Sequence, residues 1–137
     1  MIVTGGCYCG ALRFEIEGPF PLRGLCFCHT CQKISGGAGN LFLGIEARQF
    51  RYTKGEPQRF AKTPETPARE FCGACGTHLA ARSPKLPDGL IVKVGTLDDP
   101  ARFEGPQMAF WTEEMQVFHH IPEGVKSFVR LPGRGPD

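Results

Sequence analysis

Cys72-Gly73-Ala74-Cys75-Gly76 is the stretch on which the reading of this chain turns. Two cysteines separated by two residues can set both sulfurs about 2.3 Å from one metal ion. The glycine that follows suits a backbone turning with positive φ, which brings amides towards the sulfurs. A redox pair of the thioredoxin kind sits at the start of a helix after a strand, and Gly73 and Gly76 make a poor helix start. The stretch therefore reads as a zinc knuckle. It supplies two ligands where a closed tetrahedral site needs four.

The other ligands must come from one of two clusters nearer the N-terminus, Cys7-Tyr8-Cys9-Gly10 or Cys26-Phe27-Cys28-His29-Thr30-Cys31. Seven cysteines divide as four and three. The 26–31 cluster holds three within six residues, so local chain alone can bring three sulfurs to one metal and leave a fourth position free. Pairing Cys7 and Cys9 with Cys72 and Cys75 then closes a site that staples the start of the chain to its middle. The competing account is one zinc ion and three bystander cysteines. An all-disulfide scheme would leave one thiol unpaired, and the Met1–Cys7 segment carries neither a basic region nor an apolar stretch that would mark export. The expectation is a reducing, cytoplasmic setting in which clustered cysteines are metal ligands. The formal charge is +2. Each ligating thiolate subtracts one and each zinc adds two, so two loaded sites would leave the protein near neutral.

The 137 residues make one domain's worth of chain, placed at 1–130 with a loose tail over 131–137. Hydrophobic residues at 41% and charged residues at 22% exclude wholesale disorder. So small a net charge excludes an extensive phosphate-binding surface, hence no nucleic-acid partner, and no apolar run is long enough for a membrane helix. With 18 glycines and 12 prolines, short strands and turns are favoured over long helices. The clearest strand is 11–17, where Leu12, Phe14 and Ile16 alternate with Arg13, Glu15 and Glu17. Further strands are expected at 22–28, 40–45, 50–52, 58–62, 68–71, 77–82, 90–94, 108–111, 116–119 and 126–130. One helical turn is expected at 30–35, stopped by Gly36-Gly37. The fold class is all-β with few short helical turns. A helix is the alternative for 112–120.

These motifs resemble the glutathione-dependent formaldehyde-activating enzyme family, whose vertebrate relatives include centromere protein V. The resemblance runs from Gly6 to about Phe128. It is carried by Gly6-Cys7-Tyr8-Cys9-Gly10, by Cys26-Phe27-Cys28-His29-Thr30-Cys31-Gln32-Lys33 with Ser35-Gly36, by Phe71–Thr77, and by Val94-Gly95-Thr96-Leu97-Asp98-Asp99-Pro100. It implies a β-tent fold, a structural zinc on Cys7, Cys9, Cys72 and Cys75, and a catalytic zinc on Cys26, Cys28 and Cys31. Members often carry His where Phe27 stands and Arg where Gln32 stands, and many have a His before the late aromatic segment, where this chain has Met108. Those departures bear on the substrate more than on fold or metals.

Three thiolates leave a zinc centre electron-rich, which suits exchange of a soft ligand better than ionisation of water. The resemblance implies glutathione as that ligand, added reversibly through sulfur to formaldehyde by a carbon–sulfur lyase or synthase. His29 is the nearest candidate to move the proton. Arg23 and Lys33 are candidates to hold glutathione's carboxylates, the plain alternative being solvated surface charge. His78 is expected to pack beside the closed zinc, and His119 and His120 to point to opposite faces of a strand. Phe110 and Trp111 are expected in the core, and Asp98 as a cap before Pro100. The competing function classes are a non-catalytic zinc-binding interaction module and a site that transfers or senses metal or oxidant. The oligomeric state is not legible.

Overall fold

The computed structural model describes residues 1–131. Alternation sets the two layers. The first three-stranded sheet is built from β1 (Ile2–Gly6), β2 (Arg13–Glu17) and β5 (Phe50–Lys54), antiparallel in the order β1-β2-β5. A larger sheet takes β3 (Leu22–Cys26), β4 (Asn40–Glu46), β6 (Gln58–Phe60), β7 (Ala68–Phe71), β8 (His78–Arg82), β9 (Gly89–Lys93), β10 (Met108–Phe110) and β11 (Lys126–Ser127). Its order is β11-β10-β3-β4-β9-β8-β7-β6, antiparallel except for β10, which runs parallel to β3 and β11. Among the described residues the one α-helix, α1 (His29–Ile34), is a single short piece, and the 3₁₀ turns span three or four residues each. The expected all-β class with few short helices therefore holds.

The core lies between the sheets. Val3, Phe14, Ile16 and Phe50 of the small sheet meet Leu43, Ile45, Leu79, Leu90 and Val92 of the large one. Each of these side chains contributes about 1.5–3 kcal/mol by leaving water. The period of two does the rest. Because Leu43 and Ile45, and Leu90 and Val92, point to the core, Asn40, Phe42 and Gly44 on β4 and Ile91 and Lys93 on β9 point the other way. Cross-strand partners share a face, so the register continues this second face across the sheet. Cys26 pairs with Asn40, Gly24 with Phe42, and Phe42 with Lys93. Gly44 pairs with Ile91, Ile91 with Ala81, and Ala81 with Arg69. Gly24 is required there, since a Cβ on it would lie 2.3 Å from the Phe42 ring.

Several sequence expectations are corrected. β1 was not anticipated: Ile2 and Val3 are both apolar and two glycines follow, which hides the alternation that buries Val3 and Gly5. The strand expected at 116–119 is a turn, and the helical alternative for 112–120 shrinks to a 3₁₀ turn at Thr112–Glu114. Local bonds win there. Gln116 N donates to His119 Nδ1 at 3.0 Å and His119 N donates to Gln116 O at 3.0 Å, while Val117 and Phe118 stay exposed. The strand expected at 126–130 is only Lys126–Ser127. The cap before Pro100 is Asp99, which accepts from Ala101 N at 3.2 Å, while Asp98 accepts from Thr4 Oγ1 at 2.6 Å and pairs with Arg13. Of the expected loose tail, Leu131 packs against Phe110 and its neighbours, and 132–137 lie outside the described residues. Among the described residues, no helix is long and apolar enough to cross a membrane.

Candidate metal centres

Two tight chain turns build the first centre. In each, an amide reaches back over the cysteines: Gly10 N to Cys7 O at 3.2 Å, and Gly76 N to Cys72 O at 2.8 Å. Gly10 and Gly76 take φ of 82° and 79°, in the left-handed region where a side chain is strained. The sulfurs of Cys7, Cys9, Cys72 and Cys75 all lie within 4.8 Å of one another. Cys7 Sγ is 3.7 Å from Cys9 Sγ, which is 3.8 Å from Cys72 Sγ. A tetrahedron with metal–sulfur bonds of about 2.3 Å has sulfur–sulfur edges of about 3.8 Å. The donor set therefore fits one tetrahedral soft metal with every position filled by protein. Leu12 N donates to Cys7 Sγ at 3.2 Å, and Tyr8 N donates to Thr77 Oγ1 at 3.1 Å, tying the two turns together. Hydrogen bonding by the Thr77 hydroxyl, and then by the Thr77 amide, brings the Cys75 thiol down to about 5.

The second centre joins the end of β3 to the start of α1. Cys28 is the N-cap, and its Sγ accepts from Cys31 N at 3.4 Å, so the helix start sets these two sulfurs one turn apart. Cys26 closes the group from the strand, and the three sulfurs lie within 4.8 Å of one another. Gln32 fixes the loop from behind, donating from Nε2 to Phe27 O at 2.7 Å and to Glu114 O at 2.8 Å. Glu114 Oε2 in turn accepts from His29 N at 2.6 Å. Hydrogen bonding from Cys26, then Cys31, draws the Cys28 thiol down to about 3 against burial, with the Arg69 charge helping. The same bond to Cys28 pushes the Cys26 thiol up. A divalent metal is what would let all three be thiolates.

The two centres differ in what stands beside them. The three sulfurs open onto a cavity of about 460 Å³ over the second face of the large sheet. Its walls include Leu22, Phe42, Ile91, Phe110 and Trp111, and its charged side chains are Arg69 and Glu114, with His29 also at the wall. Trp111 takes φ of 59°, uncommon for so bulky a residue. Next to the cluster lies Lys93, whose Nζ donates to Asn40 Oδ1 at 2.6 Å and to Ser35 Oγ at 3.4 Å. Burial brings Lys93 down to about 8, against the pull of the three cysteines.

The structure brings together both cysteine sets expected from sequence, and it places His29, exposed, at the cavity. Arg23 and Lys33 are elsewhere. Arg23 is on the opposite face of β3 from Cys26 and pairs with Glu104 at 3.0 Å, and Lys33 is exposed on α1; neither lines the cavity. His78 donates from Nε2 to Ala80 O at 3.0 Å, and burial, with the Lys93 charge next, brings it down to about 4. His119 bonds through Nε2 to Gly37 O at 2.7 Å, its ring centroid 5.1 Å from that of Phe27. Phe110 and Trp111 are buried as expected and line the cavity as well. Arg69 and Lys93 were missed. Strand alternation held the signal, since each sits one residue from a side chain on the other face.

A mostly β protein whose cysteines gather into a closed set of four and an open set of three is the class that fold and sites define. Its sequence belongs to the glutathione-dependent formaldehyde-activating enzyme family, whose model matches residues 2–114. A curated relative from Halomonas elongata, named "Putative glutathione-dependent formaldehyde-activating enzyme", is 30% identical over 98 residues. The match covers 64% of this chain and 60% of that relative's length. The crystal structure of a Rhodobacter sphaeroides protein shares the fold, with a TM-score of 0.59 at 22% identity over 69% of this chain and 87% of its own.

Proposed function

We propose that the three-cysteine centre, loaded with zinc, catalyses the reversible addition of a thiol to formaldehyde or a related small aldehyde, as a carbon–sulfur lyase or synthase. The observation that carries this is the contrast between the two centres: four sulfurs enclose one site, while three sulfurs face a cavity. Family membership supports the reaction class and names glutathione as a thiol of that class. Zinc on Cys26, Cys28 and Cys31 supplies a soft cation that lowers a thiol's pKa. Cys7, Cys9, Cys72 and Cys75 hold a second, structural zinc. In the addition, the sulfur gives up its proton and bonds to the carbonyl carbon, and the displaced C=O pair takes a proton on oxygen. No oxidant or reductant is needed. His29, whose backbone is anchored to Glu114 at the cavity edge, is the proposed carrier of that proton. Seven free cysteines suit a reducing, cytoplasmic setting.

Cobalt substitution tests the proposal. The d–d bands of cobalt on Cys26, Cys28 and Cys31 shift when a thiol is added, and stay in place with the corresponding S-methyl thioether. Cys28→Ser removes the shift and leaves the four-cysteine spectrum intact. If no thiol moves the bands at millimolar concentration, the proposal fails and a non-catalytic interaction module takes its place.

A further inference from the structure

We infer that the thiol this centre prefers is an apolar-bodied acid, a single carboxylate on a hydrocarbon or aromatic body that bears the sulfur, over the polar tripeptide glutathione. The inference rests on the proposed thiol addition and specifies its substrate. Leu22, Phe42, Ile91, Phe110, Trp111 and Leu131 give the cavity long apolar walls. Two of its polar side chains are already engaged. Asn40 Oδ1 accepts from Lys93, and the Glu114 carboxylate accepts from His29 N. Among the described residues, Arg69 is the one cationic side chain at the wall that is always charged, and it makes no ion pair with any of them. Its neighbour Glu70 faces the other way and is held by Arg59 and Arg82. Arg69 and the three cysteines line the same cavity, so one ligand can meet the guanidinium at one end and the sulfur position at the other.

Glutathione brings two carboxylates, an ammonium and two peptide groups. Arg69 can pair one carboxylate and Glu114 the ammonium, but the second carboxylate has no further permanent cation among the described wall residues, and the peptide groups would lie against phenyl and aliphatic walls, where an unpaired polar group is costly. An apolar body gains from the same walls, and its one carboxylate matches the Arg69 guanidinium, which has no ion pair among the described residues.

The test uses the cobalt-substituted protein with 6-mercaptohexanoate, 6-mercaptohexanol and glutathione. Affinity is read both from the cobalt bands and from the fluorescence of Trp111, the single tryptophan, which lines the cavity. The S-methyl thioethers of the acid and of glutathione, read by Trp111 alone, isolate recognition of the body from the metal–sulfur bond. The acid binds about tenfold or more tighter than glutathione, as a thiol and as a thioether. Arg69→Met weakens the acid by about tenfold and leaves the alcohol within about twofold, which also shows that the variant is folded. Glutathione binding as tightly as the acid, or Arg69→Met weakening acid and alcohol alike, overturns the inference while the thiol reading stands. Silent cobalt bands with the same order of thioether affinities overturn the thiol reading and support the body preference. No response from either probe overturns both.

Discussion

Arg69 and Glu70 are consecutive on β7 and meet opposite environments because successive side chains leave a strand on opposite faces. Residue-scale environment decides chemistry in the same way at His78. Burial and the nearby Lys93 charge bring its ring from the ordinary 6.5 to about 4. Between those values the unfolded chain binds a proton that the folded chain refuses. Stability from this group is therefore complete above about pH 6.5 and falls as pH drops towards about 4. The ring is partly solvated, so the full shift overstates the effect, and about 1 kcal/mol is expected between pH 7 and 5. Urea unfolding with zinc in excess should show His78→Gln losing that much less stability than the parent over this interval. Equal losses would show that His78 has no such linkage. The seven cysteines were legible at this scale because their spacing alone limits how they can share a metal. Arg69 and Lys93 were not: alternation gives their face, but only the assembled sheets decide whether that face meets water or a cavity.

Single elements are stabilised by bonds that run between strands. Glu70 is wholly buried; Tyr52 Oη donates to it at 2.8 Å and Arg82 Nε at 2.6 Å, and Arg59 Nη2 forms an ion pair with it at 2.9 Å. One carboxylate thereby links β5 of the small sheet to β6, β7 and β8 of the large one. The guanidiniums reach solvent and can rehydrate, so the cost of Glu70→Ala is that of lost charge-assisted bonds, about 2 kcal/mol. Denaturant unfolding measures it, and a change under about 0.5 kcal/mol would place the inter-sheet link elsewhere. β2 was readable from its alternation, and β4 and β9 as short apolar runs. The 116–119 segment was not, since its apolar residues promised a strand while a His119 ring and a local turn satisfied the backbone first. β11 shows the same limit: two residues of pairing leave little pattern to read.

At the scale of the molecule, two sheets enclose the core, the four-cysteine centre ties the N-terminal turn to the β7–β8 turn, and the three-cysteine centre sits at the edge of the open face. The division into four and three followed from counting ligands against chain distance, and the structure gathers both sets. The cavity walls come from strands far apart in sequence, which no local spacing announces. The four-cysteine centre is proposed to be closed and structural, and the three-cysteine centre open and exchangeable. Zinc counted per chain by elemental analysis, before and after mild chelation and alongside thermal unfolding, tests this division most directly. Two zinc ions per chain are predicted. Chelation should take one while Tm barely moves, and Cys28→Ser should hold one zinc in a folded chain. Cys75→Ser should be destabilised or insoluble, because a structural zinc contributes about 10 kcal/mol or more of apparent folding free energy. A single zinc per chain at the outset, or two that leave together as the fold melts, would contradict the account.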